Sequence, residues 1–420
     1  MNENSEKMYL VAETMFREGK FDQSITILEE IIAQHPNYLP AYCLLAPAYA
    51  EQGKYEQAKR TLREGAKVGQ TMSVDQTIKF LEDIITKFPD HSLAYYSLGR
   101  AYANDGKYDQ AERVLREATK LDQDWYFPYL YLGWAYEKQG KWEQALDAYR
   151  AAIRLKPDDF EARAYLGYLL QQLGDQKVGV NELQIAYRLN SEDITLTHNL
   201  ANGLHKLDRS AEALELLDDA LESIKTNEQT LAHLYNLRGN IYLDLGELDK
   251  SLVDIQKAIT LDPTVGRFYN KLGDVYFEQG DYEKAINLYN RAAESDDEKG
   301  DALKGIGRSY LRLEDWDKAV NALEKAREAG DVDYFGLGLA YFELGDDERG
   351  IENLRNEIVN DGSAKTEASY YLGFAYATTG DRESSIKAFK QFLELSTDKA
   401  GDPEWQEWRA EAKKQIEEQW

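Results

Sequence analysis

The sequence predicts an all-α protein, a solenoid of stacked antiparallel helix pairs. Three observations carry that prediction. Five stretches show the same order of apolar, small and turn residues when aligned on a central glycine. The intervals from Gly106 to Gly140 and from Gly246 to Gly280 are both 34 residues. On either side of each glycine the apolar positions follow helical spacing.

The stretch LGWAYEKQGKWEQALDAYRAAIRLKP, residues 132–157, shows what each slot does. Leu132, Gly133 and Tyr136 share one face of a first helix. Gly133 has no side chain, so a neighbouring helix can come close. Gly140 can take the left-handed conformation that ends that helix. Trp142, Ala145, Tyr149 and Ala152 predict the inner stripe of a second helix, with alanine where the helices cross. Pro157 stops it, lacking a donor and restricting the residue before it. Neither helix buries its stripe alone, so such units must stack. The sister stretches begin at Ser97, Asn236, Lys271 and Tyr371 and turn at Gly106, Gly246, Gly280 and Gly380.

These slots and this period resemble the tetratricopeptide repeat family, and the resemblance covers nearly the whole chain. About eleven repeats fit: 5–38, 39–72, 92–125, 126–159, 160–193, 194–227, 232–265, 266–299, 300–330, 331–365 and 366–399. The resemblance implies a right-handed superhelix, non-catalytic, with the first helices lining a concave groove. Some repeats depart from the pattern. Asp208 and Glu314 stand at the central glycine, and Gly179 and Gly350 replace the first alanine of the second helix.

The expected organisation is N-terminal repeats over 1–72, an irregular junction at 73–91, the main superhelix over 92–399 and a capping helix over 400–420. At the junction, Ile78, Leu81, Ile84 and Ile85 form a stripe that Pro89 ends, like a second helix without its first. Pro47 should kink or shorten the preceding helix. The tail, DPEWQEWRAEAKKQIEEQW, is amphipathic and suits the cap that a solenoid needs.

Composition narrows function. The net charge is −26, which disfavours nucleic acid and anionic membrane surfaces. Acidity of this kind keeps an extended body soluble. Cys43 is the single cysteine, so an intrachain disulfide is excluded and a packing role is expected. The N-terminus lacks a signal-peptide pattern, and AYCLLAPAYA at 41–50 is about half a membrane span. A cytoplasmic protein is expected.

No catalytic or cofactor signature appears, so no enzyme activity, metal or cofactor is expected. The pairs Gly53-Lys54, Gly106-Lys107 and Gly140-Lys141 are followed by Tyr or Trp, never by the Ser or Thr of a phosphate loop. They suit helix corners. His198, His205 and His233 are the one group with metal-binding residue types, but cysteine ligands are absent and polar groove residues are the expected reading.

If the resemblance holds, repeat positions 2, 5, 6, 9, 12 and 13 face the groove. Three zones follow. Tyr96, Arg100, Phe127, Leu130, Tyr131, Trp134, Tyr165 and Tyr168 make an aromatic zone suited to peptide contact. His198, Asn199, Asn202, His205, His233, Asn236, Asn240 and Asn270 make an amide-rich zone. Each amide offers a donor and an acceptor to an extended backbone, similar to the asparagine ladder of the O-GlcNAc transferase family. Arg267, Lys271, Lys304, Arg308 and Arg312 make a basic zone suited to a C-terminal carboxylate or acidic residues. It partly resembles the carboxylate clamp of chaperone-binding repeats, but His198 and Leu237 depart from that pattern. Phe335, Leu339, Phe342, Tyr370, Tyr371 and Phe374 make an apolar end, open to a ligand or covered by the tail helix.

The expected function is a protein-interaction adaptor that holds an extended segment of a partner protein. A self-associating scaffold and a co-chaperone adaptor are the alternatives.

Overall fold

The corners of the helix pairs form where the glycines stand. A computed structural model describes residues 3–52, 54, 57, 60, 61, 64, 65, 68, 74–87, 89, 90, 92–223, 227–399 and 402–418. Gly106, Gly140, Gly246, Gly280 and Gly380 all adopt positive φ, between 70° and 81°. At Gly140 the turn closes with Lys141 N–H donating to the Tyr136 carbonyl at 2.9 Å. The Lys141 ammonium then lies 5.8 Å from the Tyr136 ring centroid, so this Gly-Lys pair serves the corner. Asp208 and Glu314 take the same conformation at φ 59° and 56°. The repeat imposes that turn on residues that pay about 1–2 kcal/mol for it. Gly53 and most of 55–73, the second half of the second repeat, lie outside the described residues.

Contacts divide the chain into two compact bodies, Met1–Gly203 and Leu204–Trp420. The first contains α1 (Glu3–Arg17), α2 (Phe21–Gln34), α3 (Leu39–Glu51), α4 (Val74–Lys87), α5 (Ser92–Asn104), α6 (Tyr108–Leu121), α7 (Tyr126–Lys138), α8 (Trp142–Leu155), α9 (Phe160–Gln172), α10 (Gln176–Leu189) and most of α11 (Ile194–His205). The second continues with α12 (Ser210–Ser223), α13 (Glu228–Asp244), α14 (Leu248–Leu261), α15 (Gly266–Glu278), α16 (Tyr282–Ala292), α17 (Lys299–Arg312), α18 (Trp316–Glu328), α19 (Tyr334–Glu343), α20 (Asp347–Val359), α21 (Lys365–Thr378), α22 (Arg382–Leu395) and α23 (Pro403–Glu418). Among the described residues there is no strand, and no helix is long and apolar enough to cross a membrane. The all-α class and the paired helices are as the sequence predicts.

Close helix crossing comes from small residues, as the slots require. A β-carbon on Gly133 would fall 2.6 Å from the Tyr149 ring, and one on Gly273 would fall 2.6 Å from Tyr289. Ala145, Tyr149 and Ala152 are fully buried. Where serine replaces alanine, its hydroxyl is satisfied locally. Ser251 donates to the Gly239 carbonyl at 2.7 Å, and Ser385 donates to that of Gly373 at 2.8 Å. Gly179 is a fit rather than a defect, because a β-carbon there would fall 2.6 Å from the Gly167 carbonyl oxygen.

Two details correct the sequence reading. Trp142 is not part of the inner stripe; it is 42% exposed. As the first residue of α8 it covers the preceding corner near Gly140. Pro47 does not shorten its helix, since α3 runs on to Glu51. Of the junction stripe, Ile78 and Leu81 are buried in α4 and Ile85 is partly buried against the same core, while the Ile84 side chain lies outside the described residues. The tail forms α23, whose Trp405, Trp408 and Ile416 pack on Phe389 and Phe392. Arg409 donates to the Leu393 carbonyl at 2.7 Å and to Ser396 Oγ at 2.6 Å, satisfying the end of α22.

Candidate peptide-binding surface

Consecutive first helices touch one another within each body: α5 with α7 and α7 with α9, then α13 through α21 in turn. Repeat slots on these helices therefore converge on a wall, and each body has its own.

In the N-terminal body the wall is aromatic. Tyr96 is 7% exposed, so it serves as packing rather than as a free contact. Its ring centroid lies 4.7 Å from Trp125 and 5.5 Å from Tyr131. Burial pushes its hydroxyl pKa well up. The Arg100 guanidinium stands 5.5 Å from the Tyr96 ring and 5.0 Å from the Tyr131 ring. Tyr131 meets Trp134 edge-on at 6.3 Å. Phe127 stacks on Tyr126 at 4.1 Å. Leu130, assigned to the groove by its position, is a core residue, buried beneath the neighbouring rings. Tyr165 stacks one face on Tyr149 at 5.7 Å and remains 41% exposed; Tyr168 is 38% exposed.

The sequence reading missed Glu161. It precedes Tyr165 by four residues and Tyr168 by seven, which places all three on one stripe of α9. That spacing was the available signal. Burial, then Asp159 and Asp193, push its carboxyl above the ordinary value. Asp159 is committed elsewhere: it caps α9 by accepting from Ala162 N–H at 3.0 Å. In α11, His198, Asn199 and Asn202 are half-buried.

In the C-terminal body the wall is ion-paired. Arg267 Nε lies 3.2 Å from Glu298 Oε1, and Lys271 Nζ lies 2.8 Å from Asp274 Oδ2. Lys304 Nζ lies 2.9 Å from Asp301 and 2.6 Å from Asp331. Arg308 Nε lies 2.7 Å from Asp333 Oδ2, whose other oxygen caps α19 at Gly336 N–H. Asn270 is buried and donates to Glu298 Oε2 at 3.1 Å. Arg312 is exposed. Four of the five cations of the basic zone are thus paired with carboxylates of the chain itself.

Next to it stand Asn236 and Asn240, one turn apart on α13. Asn236 is 7% exposed, and among the described residues the buried amide oxygens of both have no hydrogen-bond partner. Leu237 is core. Between them Arg238 grips buried Asp254 through two bonds, 2.7 and 2.8 Å, and reaches Asp218 at 2.6 Å. His205 spends one ring nitrogen on Ser210 Oγ at 2.9 Å and the other on Asp244 Oδ2 at 2.8 Å. His233 is exposed beside the Phe268 ring. Among the described residues no three His, Cys, Asp or Glu side chains form a metal-sized cluster. At the far end, Tyr370 stacks on Trp408 at 4.6 Å, so α23 covers part of the apolar zone. Phe335 and Phe342 contact Tyr371 from α19. In the N-terminal body Cys43 is half-buried, and burial pushes its thiol up to about 11, as a packing cysteine would be.

Residues 2–234 match the family described as Cilia and flagella-associated protein 70 C-terminal domain. Residues 239–280 match a TPR repeat, and 264–330, 304–361 and 367–396 match tetratricopeptide repeat families. No curated protein matches the sequence. Among solved structures, the human IFIT1 dimer with m7Gppp-AAAA is 17% identical with a TM-score of 0.53, covering 90% of each chain. The APC/C hetero-tetramer Cut9-Hcn1 is 19% identical with a TM-score of 0.50, covering 72% of this chain and 55% of that one. This chain therefore spans about half the length of that relative. At these identities the likeness shows the fold alone. Repeats of this kind generally serve as non-catalytic protein-interaction scaffolds. The corners, the alanine and glycine crossings, the paired helices and the family matches agree: the chain belongs to the tetratricopeptide repeat family, with residues 2–234 in its Cilia and flagella-associated protein 70 C-terminal domain group.

Proposed function

We propose that this protein is a non-catalytic adaptor that holds an extended segment of a partner protein against its first helices. One observation carries the reading: Asn236 and Asn240 stand a turn apart on a first helix, each with a buried amide oxygen that no group among the described residues satisfies. A buried unsatisfied acceptor costs about 1–3 kcal/mol. Asn χ2 is a broad, two-fold torsion, so either end of the amide can turn to meet an extended backbone. Backbone N–H groups of a bound segment would recover that cost and would do so with little regard for side chains.

The basic zone contributes less to this reading than its composition suggests. A ligand carboxylate at Arg267, Lys271, Lys304 or Arg308 would have to displace Glu298, Asp274, Asp301, Asp331 or Asp333. Recognition of acidic segments is accordingly the weaker form of the proposal.

The test is selection of binders from a displayed library of unstructured peptides, followed by calorimetry. Asn236→Ala with Asn240→Ala should weaken selected peptides by about tenfold or more, the worth of one to two recovered hydrogen bonds. Alanine scanning of the peptide should show small effects. Unchanged affinity in the double variant would remove the backbone-gripping role.

A further inference from the structure

The wall of the N-terminal body carries a chemistry that its charge-balanced counterpart lacks. Arg100 already displays it: a guanidinium lies over the faces of Tyr96 and Tyr131 at 5.5 and 5.0 Å. Attraction between a cation and a ring quadrupole explains that placement. Further along the same wall the rings continue without a cation. Tyr165 keeps one face free of Tyr149, and Tyr168, three residues further along the same face, is exposed. Glu161 completes the stripe. It has no ion pair or hydrogen bond among the described residues, although Lys156 and Arg163 are both near in sequence. Lys156 is held by the Tyr126 hydroxyl at 3.0 Å and Asp159 at 3.4 Å. Arg163 is held by Glu182 at 2.6 Å and the Pro157 carbonyl at 2.9 Å. Arg100, which also attracts Glu161, is held over the Tyr96 and Tyr131 rings, so the nearby cations are engaged and the carboxylate beside two open rings is left over.

Charge complementarity fixes the occupant. A lysine or arginine side chain can lay its stem along Tyr165 and Tyr168 and bring its head to Glu161. An acidic or apolar side chain would leave that carboxylate desolvated and unpaired, which is costly. We propose that the α7–α9 wall of the N-terminal body selects a lysine- or arginine-bearing stretch of the partner, with Glu161 as its anionic contact and Tyr165 and Tyr168 as its aromatic faces. This rests on the reading that first helices hold an extended segment, and it names which segment.

The probes are three acetylated and amidated octapeptides, alternating serine with arginine, with glutamine or with glutamate. Each is titrated calorimetrically into the full chain at physiological salt. The arginine peptide should bind, and the other two should bind at least about tenfold more weakly. A chain of net charge −26 attracts any cationic peptide weakly, so the control is a charge-matched variant. Glu143→Gln, at an exposed site on α8, should leave affinity unchanged, whereas Glu161→Gln and Tyr168→Ala should each weaken it by about tenfold. Equal effects of Glu161→Gln and Glu143→Gln would reduce the binding to general attraction and overturn the proposal. Tight binding of the glutamine peptide, insensitive to Glu161→Gln, would overturn the cationic choice while leaving the groove reading standing. Absence of binding by all three peptides would also overturn it; the asparagine experiment would still report on the groove separately.

Discussion

The first-helix faces of the two bodies are built from the same repeat slots but reach opposite electrostatic ends. Between α5 and α9, rings pack on rings, and the Glu161 carboxylate makes no ion pair or hydrogen bond among the described residues, with Lys156 and Arg100 nearby but held by other groups. Between α15 and α19, four cations each meet at least one carboxylate. The same helical scaffold therefore does not dictate groove chemistry. What fills repeat positions 2, 5 and 9 does, and so does what the following repeat places opposite. A wall held by packing should be mechanically stiff and chemically open. A wall held by exposed ion pairs should be soft to mutation and chemically quenched.

The largest break in this comparison is expected at Tyr96. It is buried among Trp125, Phe127 and Tyr131. Tyr96→Ala should cost about 3–5 kcal/mol, the usual range for deleting a buried aromatic. Repeat stability is a sum of local and neighbour terms, so the loss should fall on the first body. Urea unfolding followed by hydrogen exchange would register it as early opening of α5 and α7. Loss of less than about 1 kcal/mol would mean that the wall is not held by its rings.

The ion-paired wall should yield much less. Lys304 sits between Asp301 and Asp331, yet pairs of this exposure are worth about 0–1 kcal/mol. Lys304→Met should stay within that range, and what effect it has should shrink with added salt. Asp333 is the sharpening case. It is buried, caps α19 and holds Arg308, so Asp333→Ala should cost about 1–2 kcal/mol, the upper range for a lost cap. A denaturation series on the two variants separates cap from ion pair. If they cost the same, the pairing, not the cap, sets the stability of that wall.

How much of this was legible follows from distance along the chain. The corners were legible because each depends on one residue, and Gly140 or Gly280 announces itself. Even the departures obeyed the position, since Asp208 and Glu314 adopt the turn that glycine would. The crossings were legible for the same reason. The groove was not, because its state depends on partners one repeat away. Lys304 finds Asp331, and Arg308 finds Asp333, across 27 and 25 residues. Near neighbours such as Asp274 and Asp301 could be guessed from helical spacing, but the depth of pairing could not. Asn236 and Asn270 fell on groove slots, yet both are mostly covered, because a slot gives direction and not depth. Glu161 went unnoticed among many acids, although its spacing to Tyr165 and Tyr168 marked it.

The smallest expected effect is also the one that tells the walls apart by sign. At Glu161, burial with Asp159 and Asp193 disfavours the charged form and raises the carboxyl. Also facing it are Lys156 and Arg100, which pull the other way, and the hydroxyls of Tyr96, Tyr126 and Tyr165. A carboxyl raised in the folded state stabilises the fold below its unfolded pKa and stops doing so as pH rises through its folded value. Glu161→Gln should therefore gain on the wild type as pH climbs from about 4 to 7, and match it below. Asp301 has the opposite sign, because the hydrogen bond from Lys304 lowers its carboxyl. Its contribution is present above the unfolded pKa and lost as pH falls, so Asp301→Asn should lose on the wild type at pH 7 and match it in acid. Urea midpoints of the three proteins across that pH range would show two curves diverging upward and downward from a common acid limit. Parallel curves would mean that the two walls carry equivalent carboxylates, and the distinction between an open and a quenched surface would fall with them.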